Sequence, residues 1–114
     1  MKLSAKAHGI LDYVVVIFLL ASPTIFGLPA TTAIFTYILG LIHLLLTVAT
    51  DFPVGIVRII PFKIHGYIEL IVSFTLIAIA FWLAKYDGAI ARNYYLAFGS
   101  VVFLTWLITD YKEN

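Results

Sequence analysis

This chain of 114 residues contains no cysteine. That excludes disulfides, thiolate metal ligation and cysteine redox chemistry, and it leaves the redox compartment open. Charge is scarce as well: 11% of the residues are Asp, Glu, Lys or Arg, against the roughly 25% usual in a soluble domain. The net charge is +1 and no basic stripe alternates with aromatics, so nothing points to nucleic acid as a partner. A glycine-rich phosphate loop, a nucleophile elbow and a His-Glu-x-x-His pair are also missing, and no other motif announces an enzyme.

What the chain has is apolar side chain. The hydrophobic fraction is 63% and the mean hydropathy +1.08. A domain this small has too much surface to hide that material in its own core, so lipid is the expected solvent. Four apolar segments, residues 10–28, 32–50, 62–84 and 94–109, approach the roughly 20 residues that a helix needs to cross a bilayer. They are runs rather than alternations, which favours helices over barrel strands. Gly27-Leu28-Pro29, Asp51-Phe52-Pro53-Val54-Gly55 and Lys85-Tyr86-Asp87-Gly88 punctuate them. The expected fold class is all-α: an integral membrane four-helix bundle forming one domain over 1–114. Lys2 and Lys6 ahead of an apolar run resemble a signal peptide. The length of the run, and Asp12 near its start, argue instead for a retained first helix.

Two stretches of the chain read alike. Lys6-Ala7-His8-Gly9-Ile10-Leu11-Asp12 returns 57 residues later as Lys63-Ile64-His65-Gly66-Tyr67-Ile68-Glu69. Further on, at a shift of 59, Gly40 pairs with Gly99, Thr50 with Thr109, Asp51 with Asp110 and Phe52 with Tyr111. With only three histidines and six acidic residues in the chain, the polar matches carry more weight than the apolar ones. The expected plan is two tandem helical hairpins, 1–55 and 56–114. Each unit has an even number of helices, so both enter from the same side, about a pseudo-two-fold axis along the membrane normal.

That topology places both termini and the central linker on one side, with Lys2, Lys6, Arg58, Lys63 and Lys112. Lys85 and Arg92 lie on the other. The basic excess marks the cytoplasmic face, giving a multi-pass cell-membrane protein with both termini inside. His8, Asp12, His65 and Glu69 open the first and third helices, and Asp51 and Asp110 close the second and fourth, so all six fall at that cytoplasmic end. His and acid are four apart in each copy, on one helix face. Such a set has the chemistry of a divalent-metal site, of haem ligation through His8 and His65, of a proton or cation relay, or of a polar contact to quinone. The plainer reading is that the carboxylates meet the positive helix ends, that Asp51 pairs with Arg58 or Lys63, and that no cofactor is held.

His43 stands alone in mid-span, with Val102 at the matching place. It is either satisfied locally, with Thr47 one turn on, or it is a buried ligand or relay residue. Gly40 and Gly99 mark close helix contacts. Tyr86, Tyr94 and Tyr95 on one side, and Tyr13, Tyr67, Trp106 and Tyr111 on the other, read as interfacial anchors.

The segment Leu19-Leu20-Ala21-Ser22-Pro23-Thr24-Ile25-Phe26-Gly27-Leu28 resembles the small bacterial SPW-repeat membrane proteins, with Thr24 where that family has Trp. The second half, at Ile79-Ala80-Phe81, lacks Ser-Pro. The resemblance implies a location and paired-helix units, not a reaction. The leading expectation for function is a non-enzymatic structural or accessory membrane protein, with the bilayer and a second copy or a membrane complex as partners. A proton, cation or small-solute carrier, and a haem- or quinone-holding redox anchor, are the alternatives.

Overall fold

A computed structural model describes residues 2–112. Four helices follow one another: α1 (Ala5–Ile25), α2 (Ala30–Val48), α3 (Phe62–Asp87) and α4 (Ala89–Ile108). Two very short strands, β1 (Thr50–Asp51) and β2 (Ile60–Pro61), lie between α2 and α3. They pair in parallel, Thr50 opposite Ile60 and Asp51 opposite Pro61, and an isolated parallel bridge joins Leu3 to Thr109. The all-helical expectation is thus modified only by this two-residue pairing in the linker between α2 and α3 and by the bridge near the two ends of the described chain.

The boundaries have local causes. Ser4 caps α1, its hydroxyl accepting from the Ala7 N–H at 3.1 Å. Gly27 after α1 and Gly88 after α3 have φ of +59° and +79°, where a Cβ would be strained. Gly88 is both the C-cap of α3 and the N-cap of α4, so the two helices are joined through a single residue. α4 therefore begins at Ala89, ahead of the expected start at 94.

α1 packs on α2, α3 on α4, and α2 on α3. Leu19, Leu76, Ala80, Leu83, Ala91 and Tyr95 form the core between them, and a smaller cluster of Ala5, Phe52 and Phe62 closes one end. Gly40 lies against Leu19 and Leu20 of α1, and Gly99 against the Ser73 carbonyl and Leu76 of α3, so both glycines sit at close helix contacts. Tyr95 departs from its expected interfacial place: it is fully buried, sharing a 2.6 Å hydrogen bond with Thr36. Its hydroxyl finds a partner inside, which removes the cost of burying it.

The outward faces are apolar. Ile17 is 68% exposed, Leu45 68% and Ile71 66%, a distribution that a water-facing surface rarely shows. Three helices, α1, α2 and α3, are long and apolar enough to cross a membrane. α4, expected as a fourth span, is not among them, and Arg92 and Asn93 near its start dilute its apolar character. The molecule measures 41 × 23 × 21 Å, long enough to traverse the roughly 30 Å hydrocarbon layer.

At the end away from the His-Gly sequences, Asp87 ties α3 to α2. Its Oδ2 accepts from both the backbone N–H and the hydroxyl of Thr32, each at 2.6 Å. The carboxylate thus caps the positive end of α2 from another helix. Asp87→Ala is expected to cost about 2 kcal/mol, and Asp87→Asn less, in denaturant unfolding in detergent, because Asn keeps the acceptor.

Candidate functional site

Four side chains meet inside the end of the molecule where α1 and α3 begin. His8 and His65 are fully buried, Asp12 is 3% exposed and Glu69 5%. The pairing crosses between the helices. Glu69 Oε2 of α3 lies 2.9 Å from His8 Nε2 of α1 and 3.0 Å from His65 Nε2. Asp12 Oδ2 of α1 lies 3.3 Å from His8 Nε2 and 3.1 Å from His65 Nε2. Each carboxylate therefore faces both imidazoles. The two rings stand nearly perpendicular, with centroids 5.3 Å apart.

The far side of each ring is held by a threonine. His8 Nδ1 lies 2.8 Å from Thr109 Oγ1, and His65 Nδ1 lies 2.7 Å from Thr50 Oγ1. The Thr109 hydroxyl donates to the Thr105 carbonyl at 2.5 Å, and that of Thr50 to the Leu46 carbonyl at 2.6 Å. With its hydrogen committed, each hydroxyl can only accept from the ring. Both histidines therefore carry a hydrogen on Nδ1 and turn Nε2 toward the carboxylates.

The backbone explains why threonine reaches the rings and its acidic neighbour does not. In the extended stretch after α2, side chains alternate: Thr50 is buried, Asp51 exposed and Phe52 buried. Asp51 instead pairs with Arg58 at 3.0 Å, both side chains at least half exposed. Asp110 accepts from the Lys112 backbone N–H at 3.0 Å. The expected six-residue set is corrected here: Asp51 and Asp110 lie outside the cluster, and Thr50 and Thr109 take part in it. The repeated Thr-Asp pair is the sequence signal for this arrangement, and its hydroxyl member, not its ionisable one, faces the rings.

His43 of α2 approaches from the interior side, its Nε2 lying 3.6 Å from Asp12 Oδ1. That nitrogen is buried and makes no hydrogen bond. The expected local contact with Thr47 exists, but it runs from the Thr47 hydroxyl to the His43 backbone carbonyl and leaves the ring free to face Asp12.

Aromatic rings seal the outer end. Phe62 and Tyr111 pack edge-on to His8, with centroids at 5.4 and 5.8 Å, and Phe52 lies 5.7 Å from His65. Gly9 and Gly66 make this seal possible: a Cβ at either would overlap Val54 and Phe52, or the Tyr111 ring. Burial, and then the nearby Glu69 carboxylate, push the Tyr111 hydroxyl well above its ordinary range, so it stays protonated. Toward the interior, voids of about 30 and about 20 Å³ touch Glu69, Asp12 and His43. Each has room for about one water molecule.

This geometry narrows the chemistry. Haem held by His8 and His65 would require both Nε2 atoms to face a porphyrin, yet they face Asp12 and Glu69 at contact distance and no slot separates them. The voids that touch the cluster are also too small for a quinone ring. A small cation or protons fit such a site. Comparison with protein-family models, with curated proteins and with solved structures gives no match for this chain.

Proposed function

We propose that the chain is a multi-pass protein of the cell membrane, with α4 carried across as a fourth span by its packing on α3, and with a structural or accessory role rather than an enzymatic one. In this reading the His/carboxylate cluster is the join between two related hairpins. One observation carries it: Glu69 from the second half and Asp12 from the first each face both histidines, so each imidazole meets one carboxylate of its own half and one of the other. The paired contacts support the related halves. His8 rests on Thr109 as His65 rests on Thr50, and Leu3 bridges Thr109 as Ile60 bridges Thr50. The likeness to SPW-repeat membrane proteins agrees with this plan. Enclosure supports the non-enzymatic part, because the voids that touch Asp12 and Glu69 are water-sized.

The cluster end would face the cytoplasm, where Lys2, Lys63 and Lys112 line one open cavity of about 320 Å³ and would meet anionic headgroups. Because the chain has no native cysteine, introduced ones report topology without background. In intact cells, a membrane-impermeant maleimide is expected to label Phe26→Cys and Lys85→Cys but to label Arg58→Cys only after lysis. Labelling of Arg58→Cys from outside would reverse the orientation, and equal labelling of all three before lysis would defeat the membrane reading.

His43 favours a second reading, a proton or cation path. Its unpartnered Nε2 lies beside Asp12 and both small voids, which is the placement of a relay residue. Flux into liposomes that His43→Leu abolishes would promote this reading over the first.

A further inference from the structure

We propose that His8, Asp12, His65 and Glu69 bind one divalent first-row transition-metal ion, of the zinc class. The inference rests on reading the cluster as the join between the two halves, and it names what fills that join.

The four ligand atoms form a closed ring of alternating nitrogen and oxygen. Its sides measure 2.9, 3.0, 3.1 and 3.3 Å, and all four atoms lie within 4.8 Å of one another. Ligand atoms around a tetrahedral zinc ion at about 2.0–2.1 Å are ~3.3 Å apart; the four sides match that spacing, and the separations across the ring, within 4.8 Å, would close as the ion draws the donors in.

Hydrogen bonds alone do not account for the arrangement. Glu69 Oε2 is in hydrogen-bonding position to both histidines, but Asp12 Oδ2, buried and 3.3 and 3.1 Å from the same two Nε2 atoms, is left without a hydrogen bond. A central ion serves all four atoms at once. The threonines supply the positioning that metal-bound histidines usually have: with Nδ1–H held by Thr109 and Thr50, Nε2 is the free donor on both rings. Ligation requires Nε2 of both imidazoles to be free of its hydrogen, and the two carboxylates then give the set a charge of −2, which a divalent ion cancels in a buried place.

The donor set also selects the metal. Mixed imidazole and carboxylate suits zinc, iron(II) or manganese(II). Calcium and magnesium take six or more oxygens, which this enclosed set does not offer. Copper(I) prefers sulfur, and the chain has no cysteine and a single methionine, Met1. His43, 3.6 Å from the other oxygen of Asp12, stands next in line and acts as a positioning residue for that carboxylate.

The test uses the full chain, purified in detergent, stripped with a chelator and titrated separately with Zn²⁺, Mn²⁺ and Mg²⁺. Bound metal is measured by elemental analysis after desalting, and the midpoint of thermal unfolding is followed in parallel. The expected result is one Zn²⁺ per chain, at least 100-fold tighter than Mg²⁺, with a higher unfolding midpoint. Co²⁺ loading should give the visible absorption of a four-coordinate site. Glu69→Gln should weaken Zn²⁺ binding at least 100-fold. Should that variant fail to fold, Thr50→Val, which leaves every ligand in place, should still weaken it about 10-fold. A folded wild-type chain that retains no Zn²⁺, or retention unchanged in His8→Ala/His65→Ala, would overturn the site. Metal bound with no change in unfolding midpoint would keep the site and overturn the join. No metal, with a lowered midpoint in Glu69→Gln, would do the reverse.

Discussion

Glu69→Ala is expected to cost about 3–5 kcal/mol of unfolding free energy in detergent, the range for removing one partner from a buried charged network. Glu69 Oε2 is the only oxygen in hydrogen-bonding position to both His8 and His65, at 2.9 and 3.0 Å, among the described residues. Its loss strands two fully buried imidazoles beside Asp12. Most of the cost is this stranding rather than the intrinsic worth of the contacts, which predicts strong non-additivity. Adding His8→Leu to Glu69→Ala should cost much less than the sum of the two single changes, because one stranded group is then removed. A loss below about 1 kcal/mol for Glu69→Ala, or simple additivity of the pair, would mean that the cluster does not hold the halves together.

Gly55→Ala is expected to cost about 3 kcal/mol, near the top of the usual range for overpacking. A Cβ at Gly55 would overlap the Thr50 carbonyl oxygen and crowd Arg58 Cγ at 3.2 Å. Backbone cannot swing aside as a side chain can, so the short segment from Thr50 to Ile60 must deform. That segment carries Thr50 Oγ1, which holds His65 at 2.7 Å, so the damage reaches the cluster. Gly9→Ala provides the contrast. There the first obstacle is a Val54 methyl group, with Phe52 next at 3.0 Å. Val54→Ala is therefore expected to restore much of the stability lost in Gly9→Ala and none of that lost in Gly55→Ala. Equal rescue of both, read from unfolding midpoints, would show that the loop gives way easily and that the Thr50 carbonyl is no fixed obstacle.

Much of the cluster was legible before any coordinates. His8 and Asp12, and His65 and Glu69, are each four apart, which puts each pair on one face of a helix. Their rarity in so apolar a chain marked them for a role. Asp51 and Asp110 are where the structure departs from that pattern. Both sit one residue beyond a buried threonine, in short extended segments where each step reverses the side chain's direction. A reading one residue off therefore exchanges the inward hydroxyl for an outward carboxylate. His43 could be placed in mid-helix, but not on the face that meets Asp12, because helix rotation is set by packing against neighbours. The burial of Tyr95 is hidden from the sequence for the same reason: only packing supplies Thr36 as its partner. In the sequence Asp87 reads only as part of a helix-ending turn, since its bond to Thr32 joins residues 55 apart in the chain.

The sequence by itself determined the helical segments, their breaks at Gly27 and Gly88, the apolar outer surface and the four ionisable residues that matter most. Each of these follows from local composition or from spacing along one helix. Only the tertiary structure decided that Asp12 faces His65, that Glu69 faces His8, and that Thr50 and Thr109 orient the rings so that both Nε2 atoms converge. Those relations depend on the rotation and height of one helix against another, set by the packing of Leu19, Leu76 and Gly99 and by the aromatic seal of Phe52, Phe62 and Tyr111. No periodicity within a single helix encodes that relative placement.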